Sequence, residues 1–513
     1  MSGYLRRLAT TGAAYTAANI LSKLIAVALL PLYTRYLAPA DYGVAETLFA
    51  AVVAASIVIR FGVIEAVLRF YYEAGEDPDK VVRASFAALF WFATVAALVA
   101  LPFAAPLSEA LLGERAPDLM RIAIGGLWVL TLHEYLLTLF RLEERARAFF
   151  TVTIANVLAA IAITVALVVG AEEGARGLLL GSYLSGALFV LGLIAVHRRR
   201  LSLRPDRPLL RRMLRFGLPT MPAELSLYAL NFADRIIILR TVGAAEAGLY
   251  AVAIKFAQGV NILARGFQLA WPPLAYSIRD DEEARRVYAT VVSLFLAASA
   301  FVVVALWLFA RWLARALVDA DFFDSYEAVG LVSAAIALYA LYRVQLVILG
   351  RTGRTEFNFP ATLAALVVNV GLNLVLVPPL GIVGAGIALL ASYLVVVALM
   401  YVFTQRLFPV PYEWGRLARV IVVSAGLIAL GELLLPADGV DGFLSRAALL
   451  ASYPVVLFAS GFFSAEERGW ISRLRRPGEL IASLRAARQR PSAVDGSIPE
   501  AAEAGMMDED ARS

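Results

Sequence analysis

Arg35-Tyr36-Leu37-Ala38-Pro39-Ala40-Asp41-Tyr42-Gly43 returns 205 residues later as Arg240-Thr241-Val242-Gly243-Ala244-Ala245-Glu246-Ala247-Gly248. Arginine, acid and glycine keep their offsets. A second echo sets Phe149, Gly174 and Ser182-Tyr183-Leu184 against Phe359, Gly384 and Ser392-Tyr393-Leu394, at an offset of 210. The chain therefore reads as a duplication. Each copy spans six apolar runs, an even number, so both copies cross a bilayer in the same sense and are related by an axis along the membrane normal.

Working outward, composition demands lipid as a solvent. Hydrophobic residues make up 61% of the 513 positions and charged residues 17%. Soluble domains hold about a quarter charged residues, and one core cannot hide this apolar excess. Fourteen apolar runs of about 20 residues, the length that crosses a bilayer, lie between residues 13 and 463. The first is read as an uncleaved span rather than a signal peptide, because Asn19, Ser22 and Lys23 interrupt it. The fold class is thus an all-α polytopic membrane protein of about 14 transmembrane helices. Two pseudo-symmetric six-helix lobes are followed by an extra C-terminal helix pair.

The expected divisions are a lobe over 1–197, a basic linker over 198–216, a second lobe over 217–405 and the extra pair over 406–464. An amphipathic helix over 465–490 and a disordered acidic tail over 491–513 complete the chain. Cations concentrate in alternating segments, above all Arg198, Arg199, Arg200, Arg204, Arg207, Arg211, Arg212 and Arg215. By the positive-inside rule these lie in the cytoplasm, with both termini. The net charge of +5 is therefore a topology signal and not a nucleic-acid footprint.

Absent chemistry narrows the function. There is no cysteine, so thiol catalysis and disulfides are excluded. His133 and His197 are the two histidines and form no ligand-spaced pair. No phosphate-binding glycine loop is present, which argues against an ATP-driven pump. Asp319, Asp321 and Asp324 lack the turn glycine of a calcium loop and read as a solvated loop. No catalytic residue and no metal site are expected.

Charges inside spans carry the functional signal, since each costs about 2.5–3.5 kcal/mol at the bilayer centre on insertion scales. Lys23 follows Asn19 in span 1, and Arg60 lies in span 2. Glu224, Tyr228, Asn231 and Arg235 recur on one helical face of span 7, with Asp234 beside them. Lys255, Gln258, Asn261, Arg265 and Gln268 repeat the pattern in span 8, and Arg343 lies in span 10. Asn369 and Asn373 stand one turn apart in span 11. Glu65, Arg69 and the His133-Glu134 pair read as interhelical glue or snorkelling groups. Lys23, Arg60, Arg235, Lys255 and Arg265 read as the lining of a hydrated cavity for an anionic ligand, phosphate suiting arginine's planar fork. Asn19, Asn231 and Arg343 are added to that binding set. Pro219 and Pro222 are expected to interrupt span 7, and Pro272-Pro273 to break the end of span 8.

The opening Asn19-Ile20-Leu21-Ser22-Lys23, the run Leu30-Pro31-Leu32-Tyr33-Thr34-Arg35 through Gly43, and Asp234-Arg235-Ile236-Ile237-Ile238 with Gly248-Leu249-Tyr250-Ala251 resemble one family. These are the Wzx-type oligosaccharide flippases of the MOP (MATE-like) exporter superfamily. The resemblance covers about residues 10–465. It implies translocation of a polyprenyl-pyrophosphate-linked oligosaccharide from the cytoplasmic to the outer leaflet of a bacterial or archaeal cytoplasmic membrane, for polysaccharide biosynthesis. The chain would be no enzyme and need no cofactor. A coupling ion, Na+ or H+, would engage Asp234 and Glu224. Expected partners are the lipid-linked oligosaccharide, membrane lipids and other polysaccharide-assembly proteins. Rival readings are a lipid II flippase of the MurJ type, a MATE-like drug or cation antiporter and, from another class, a membrane polysaccharide polymerase or ligase.

Overall fold

A computed structural model describes residues 17, 20–73, 75–230, 232–464, 467 and 468. Asn19, Asn231 and, apart from Glu467 and Arg468, the segments expected as an amphipathic helix and an acidic tail lie outside them. Among the described residues every regular element is a helix. Eleven helices among the described residues are long and apolar enough to cross a membrane.

The difference from fourteen has three physical sources. The first span is described only from residue 20, as a helical stretch to a turn at Leu29 followed by α1 (Leu30–Tyr36). The seventh is split into two short pieces. The eleventh and twelfth run together as one 50-residue element, Asn358–Leu407, which bends at Pro378, Pro379 and Gly381. Gly381 takes φ 54° and ψ −133°, outside the helical region and open to glycine at little cost.

In chain order, α2 (Pro39–Arg60) and α3 (Val63–Phe70) form span 2, parted at Phe61 by a left-handed φ of 47°. Then come α4 (Pro78–Ala100), α5 (Ala104–Leu112), α6 (Pro117–Leu142), α7 (Ala146–Val165) and α8 (Gly174–His197). The linker folds as α9 (Arg207–Gly217), capped by Asp206, whose side chain accepts from Leu209 N at 3.1 Å. Span 7 is α10 (Met221–Ala229) and α11 (Ala233–Thr241). The rest are α12 (Ala244–Ser277), α13 (Asp281–Leu317), α14 (Tyr326–Thr352), α15 (Asn358–Leu407), α16 (Trp414–Leu434) and α17 (Gly439–Ala459).

Two expectations are corrected here. Helix α12 passes through Pro272-Pro273 unbroken to Ser277; within a bundle, neighbouring groups re-satisfy the backbone that proline frees. Span 7 is two helices, one ending at Ala229 and one starting at Ala233, rather than a helix interrupted only at the prolines, so Glu224 and Tyr228 do not share a continuous helical face with Arg235.

The buried apolar residues form three clusters. One joins α3, α4, α6, α8 and α9, from Val63 to Met213. One joins α12, α13 and α14 with Phe408 and Val410. The largest draws on both halves and includes Tyr42, Val44 and Leu48 of α2 with Tyr250, Val252 and Phe256 of α12. The linker is tied to the first half: Arg200 Nε donates to Asp79 at 2.7 Å, and Arg212 pairs with Glu76. Helix α16 packs on α13. Arg446 of α17, 1% exposed, donates to Glu432 at 2.7 Å and to the Leu308 carbonyl of α13 at 3.1 Å.

The chain divides into a unit over Met1–Tyr453 and a second over Pro454–Ser513. In the second, Ser464 and Glu467 cap one another, Ser464 N donating to Glu467 Oε2 at 2.8 Å.

Candidate functional site

The repeated stretch itself builds the seam between the halves. The end of the bundle that carries residues 198–216 is here the basic end; the repeated stretches lie at the far end. There α2 and α12 run so close that a Cβ on Gly43 would lie 2.1 Å from the Ala244 carbonyl oxygen. One on Gly248 would lie 2.1 Å from that of Pro39. Both distances are impossible for a real side chain, so each copy's glycine makes room for the other's backbone. The acids of the two stretches also play matching parts. A Cβ at Gly174 would meet the Asp41 carboxylate at 3.3 Å, and one at Gly381 would meet Glu246 at 3.3 Å. The counterpart of Gly174 is thus Gly381 rather than Gly384.

One turn into the span from Gly43 sits Glu46. Lys255 Nζ donates to its Oε1 at 2.6 Å, and Arg235 Nη1 reaches Oε2 at 3.4 Å and the Glu46 carbonyl at 3.1 Å. Side-chain exposures are 13% for Glu46, 15% for Arg235 and 21% for Lys255. Lys255 also lies 5.1 Å over the Tyr42 ring. Two cations of the second half therefore share one carboxylate of the first. Glu46 was not singled out from the sequence. The available signal was a lone acid in the apolar run Val44-Ala45-Glu46-Thr47-Leu48.

Arg60 is not a free cation. Its Nη1 donates to Glu134 Oε2 at 2.5 Å and its Nη2 to Glu224 Oε1 at 3.2 Å. Arg60 is buried, while the two acid side chains are 37% and 40% exposed. Glu134, read as glue, and Glu224, read as an ion-coupling group, are thus joined through one arginine. Tyr228 donates to the Ala50 carbonyl of α2 at 3.1 Å, a further bond between the two halves.

Nearer the basic end the balance changes. Lys23 Nζ donates to Gln258 Oε1 at 2.8 Å, and Asn261 donates to the same oxygen at 2.8 Å. Arg265 is exposed and lies within electrostatic reach of Lys23. Arg343 lines a cavity of about 170 Å³ with Phe267, Gln268, Trp271 and Tyr276. Among the described residues, no carboxylate lies within ion-pairing distance of Lys23, Arg265 or Arg343.

Asp234 faces the other way. It is fully buried within the second half, accepting from Tyr250 Oη at 2.9 Å and from Asn373 Nδ2 at 2.7 Å. Asn369, one turn before Asn373, is also buried and adjoins the Asp234 carboxylate, and among the described residues the side-chain oxygens of Asn369 and Asn373 find no hydrogen-bond partner. The hydrogen-bond donors to Asp234 are neutral side chains, while the side chain of the adjacent Arg235 bonds Glu46. Among the described residues no group of three or more His, Cys, Asp or Glu side chains could hold a metal ion.

Solved transporters share this arrangement of helices. The lipid II flippase MurJ in an inward closed conformation aligns with a TM-score of 0.71 and 13% identity, over 90% of this chain and 99% of that one. An inward-facing MATE multidrug resistance transporter of the MOP superfamily aligns at 0.62 and 16%, over 79% and 95%. A MOP-superfamily transporter from Pyrococcus furiosus, noted for the reversed polarity of its binding pocket, aligns at 0.57 and 17%, over 81% and 95%. No curated protein matches the sequence. At these identities the likeness establishes the fold: a multi-pass membrane bundle of two pseudo-symmetric six-helix lobes with an added pair. Residues 32–296, more than half of the chain, match the family described as polysaccharide biosynthesis protein, and the chain belongs to that family.

Proposed function

We propose that this protein carries a polyprenyl-pyrophosphate-linked oligosaccharide across the cytoplasmic membrane, from the inner to the outer leaflet. The observation that carries this reading is the set of cations that have no acid partner among the described residues, Lys23, Arg265 and Arg343. Lys23 donates to Gln258, three residues along α12 from Lys255, where two cations share one carboxylate. A diphosphate supplies the missing negative charge, and arginine's fork holds two of its oxygens at once. The polyprenyl chain stays in lipid while the head group enters the water-filled space. Residues 1–197 and 217–405 are the two bodies that rock against one another. In this reading the basic end and both termini are cytoplasmic, which the alternating arginine-rich segments support.

No covalent chemistry is assigned to the chain, since binding and release on opposite sides suffice. The driving force enters at Asp234. Its carboxylate, with the spare oxygens of Asn369 and Asn373, offers a small cation an oxygen shell, and protonation of the same carboxylate is the alternative for a proton-driven cycle. Glu224 is assigned to holding Arg60 rather than to the ion.

Lipid II, also a pyrophosphate lipid and the substrate named for MurJ, is the second reading favoured by a specific observation, the 0.71 alignment. Deleting the gene tests both. Accumulation of lipid-linked oligosaccharide on the cytoplasmic leaflet, with intact cell-wall synthesis, supports the first. Loss of cell-wall synthesis supports the second. Normal surface polysaccharide and normal wall would remove both.

A further inference from the structure

We infer that Glu46 is an internal counter-anion that keeps the far end shut while the cleft is empty, and that an anionic head group opens it by taking over the cations. This rests on the reading of an anionic cargo given above. Glu46 belongs to α2 of the first half, whereas Arg235 and Lys255 belong to α11 and α12 of the second. The contacts at 2.6 Å and 3.4 Å are therefore a polar clasp across the two halves. The clasp sits three residues from Gly43, on the same helix pair that meets at Gly43 and Gly248. Freeing Glu46 removes the ionic part of that seam and leaves the close backbone approach and the apolar packing of Tyr42, Val44 and Leu48 against Tyr250, Val252 and Phe256, contacts that carry no charge.

The exchange has a direction. Glu46 offers one negative charge to two cations, so the clasp keeps a net positive charge. A diphosphate brings more charge and more acceptor oxygens and makes charge-assisted bonds to both groups. Cargo can shift the equilibrium only by its differential affinity for the two states. Competition with Glu46 supplies such a difference, since the cations are fully available only once the clasp is broken. By linkage, Glu46 must weaken cargo binding by the same factor with which cargo weakens the clasp. A neutral lipid, unable to compete, leaves the far end closed, so the clasp also makes opening conditional on charge.

The chain has no cysteine of its own, which allows spin labels to be placed cleanly. Tyr36→Cys and Val242→Cys put labels on exposed far-end positions of the two halves, away from the clasp. Distances between them are measured in nanodiscs with and without undecaprenyl diphosphate as the probe. The expected result is a short distance in the labelled parent, a longer one after adding the probe, and the longer one without any probe in Glu46→Gln. Affinity for the probe is expected to rise about tenfold in Glu46→Gln. Should that variant fold poorly, the exchange Glu46→Lys with Lys255→Glu rebuilds the clasp in reverse and is expected to restore the short distance. A Glu46→Gln protein that keeps the parent's distance and affinity, or an exchanged pair that stays open, overturns the inference. If Glu46→Gln opens while the parent neither binds nor answers the probe, the clasp stands and the anionic-cargo reading falls.

Discussion

Helix α12 carries Lys255 and Arg265 ten residues apart, about 15 Å along its axis, and the two stand in opposite surroundings. Lys255 is largely buried at the far-end seam with a carboxylate at 2.6 Å. Arg265 is exposed toward the basic end, with another cation as its charged neighbour. One helix thus holds a cation that binds the molecule to itself and one left over for something else. The difference teaches that counting cations in spans does not by itself locate a ligand. What matters is which of them the fold has already neutralised.

The comparison is broken most severely at the seam. Lys255→Gln strips Glu46 of its nearer partner and leaves a largely buried carboxylate held by Arg235 at 3.4 Å alone. Removing one member of a buried pair costs about 3–5 kcal/mol, and partial exposure here places the effect near the lower figure. Thermal unfolding in detergent should show a clear fall in Tm, and an unchanged Tm would mean that the bridge is not a structural contact. Gly43→Ala acts on the same seam by crowding, at a cost of about 1–3 kcal/mol for forced overpacking. Its expected signature is a longer far-end distance between labels with a smaller loss of Tm, and a distance matching the parent would refute the close approach.

Arg265→Gln sharpens the contrast from the other side. No pairing is lost, so Tm should stay within about a degree of the parent. Hydrogen bonds to charged groups contribute about 1.5–3 kcal/mol, so affinity for undecaprenyl diphosphate should drop by roughly ten- to a hundredfold. Equal affinity would remove Arg265 from the binding surface. The smallest effect on this comparison is expected at Asp234, which lies apart from both cations' surroundings. Asp234→Asn should leave probe affinity within about twofold while abolishing the dependence of transport on Na+ or pH. Retained ion dependence would exclude Asp234 as the coupling group.

Much of the fold was legible in the sequence because membrane helices announce themselves locally. A long apolar run must be a span, and an arginine-rich loop marks its side. The repeated Arg35–Gly43 stretch carried further than expected, since its two glycines meet each other in the folded chain. The misreadings share one cause. Arg60 pairs with residues 74 and 164 positions away, and Lys255 with one 209 positions away; helical spacing reports only neighbours three and four apart. Glu46, a single acid in an apolar run and without a counterpart in the second copy, forms no helical pattern with other polar residues. Asp234 and Arg235 adjoin in sequence, yet adjacent helical positions diverge by about 100°, and one side chain accepts from Tyr250 and Asn373 while the other reaches Glu46.

The central claim is that cations left unpaired by the fold recognise a pyrophosphate head group. It is tested most directly by reconstituting the purified protein in liposomes and following a polyprenyl-pyrophosphate-linked oligosaccharide between leaflets, beside the same glycan on a neutral lipid. The expected result is protein-dependent transfer of the pyrophosphate lipid, slowed about tenfold or more in Arg265→Gln, and no transfer of the neutral one. Equal transfer of both lipids, indifferent to Arg265, would contradict the account.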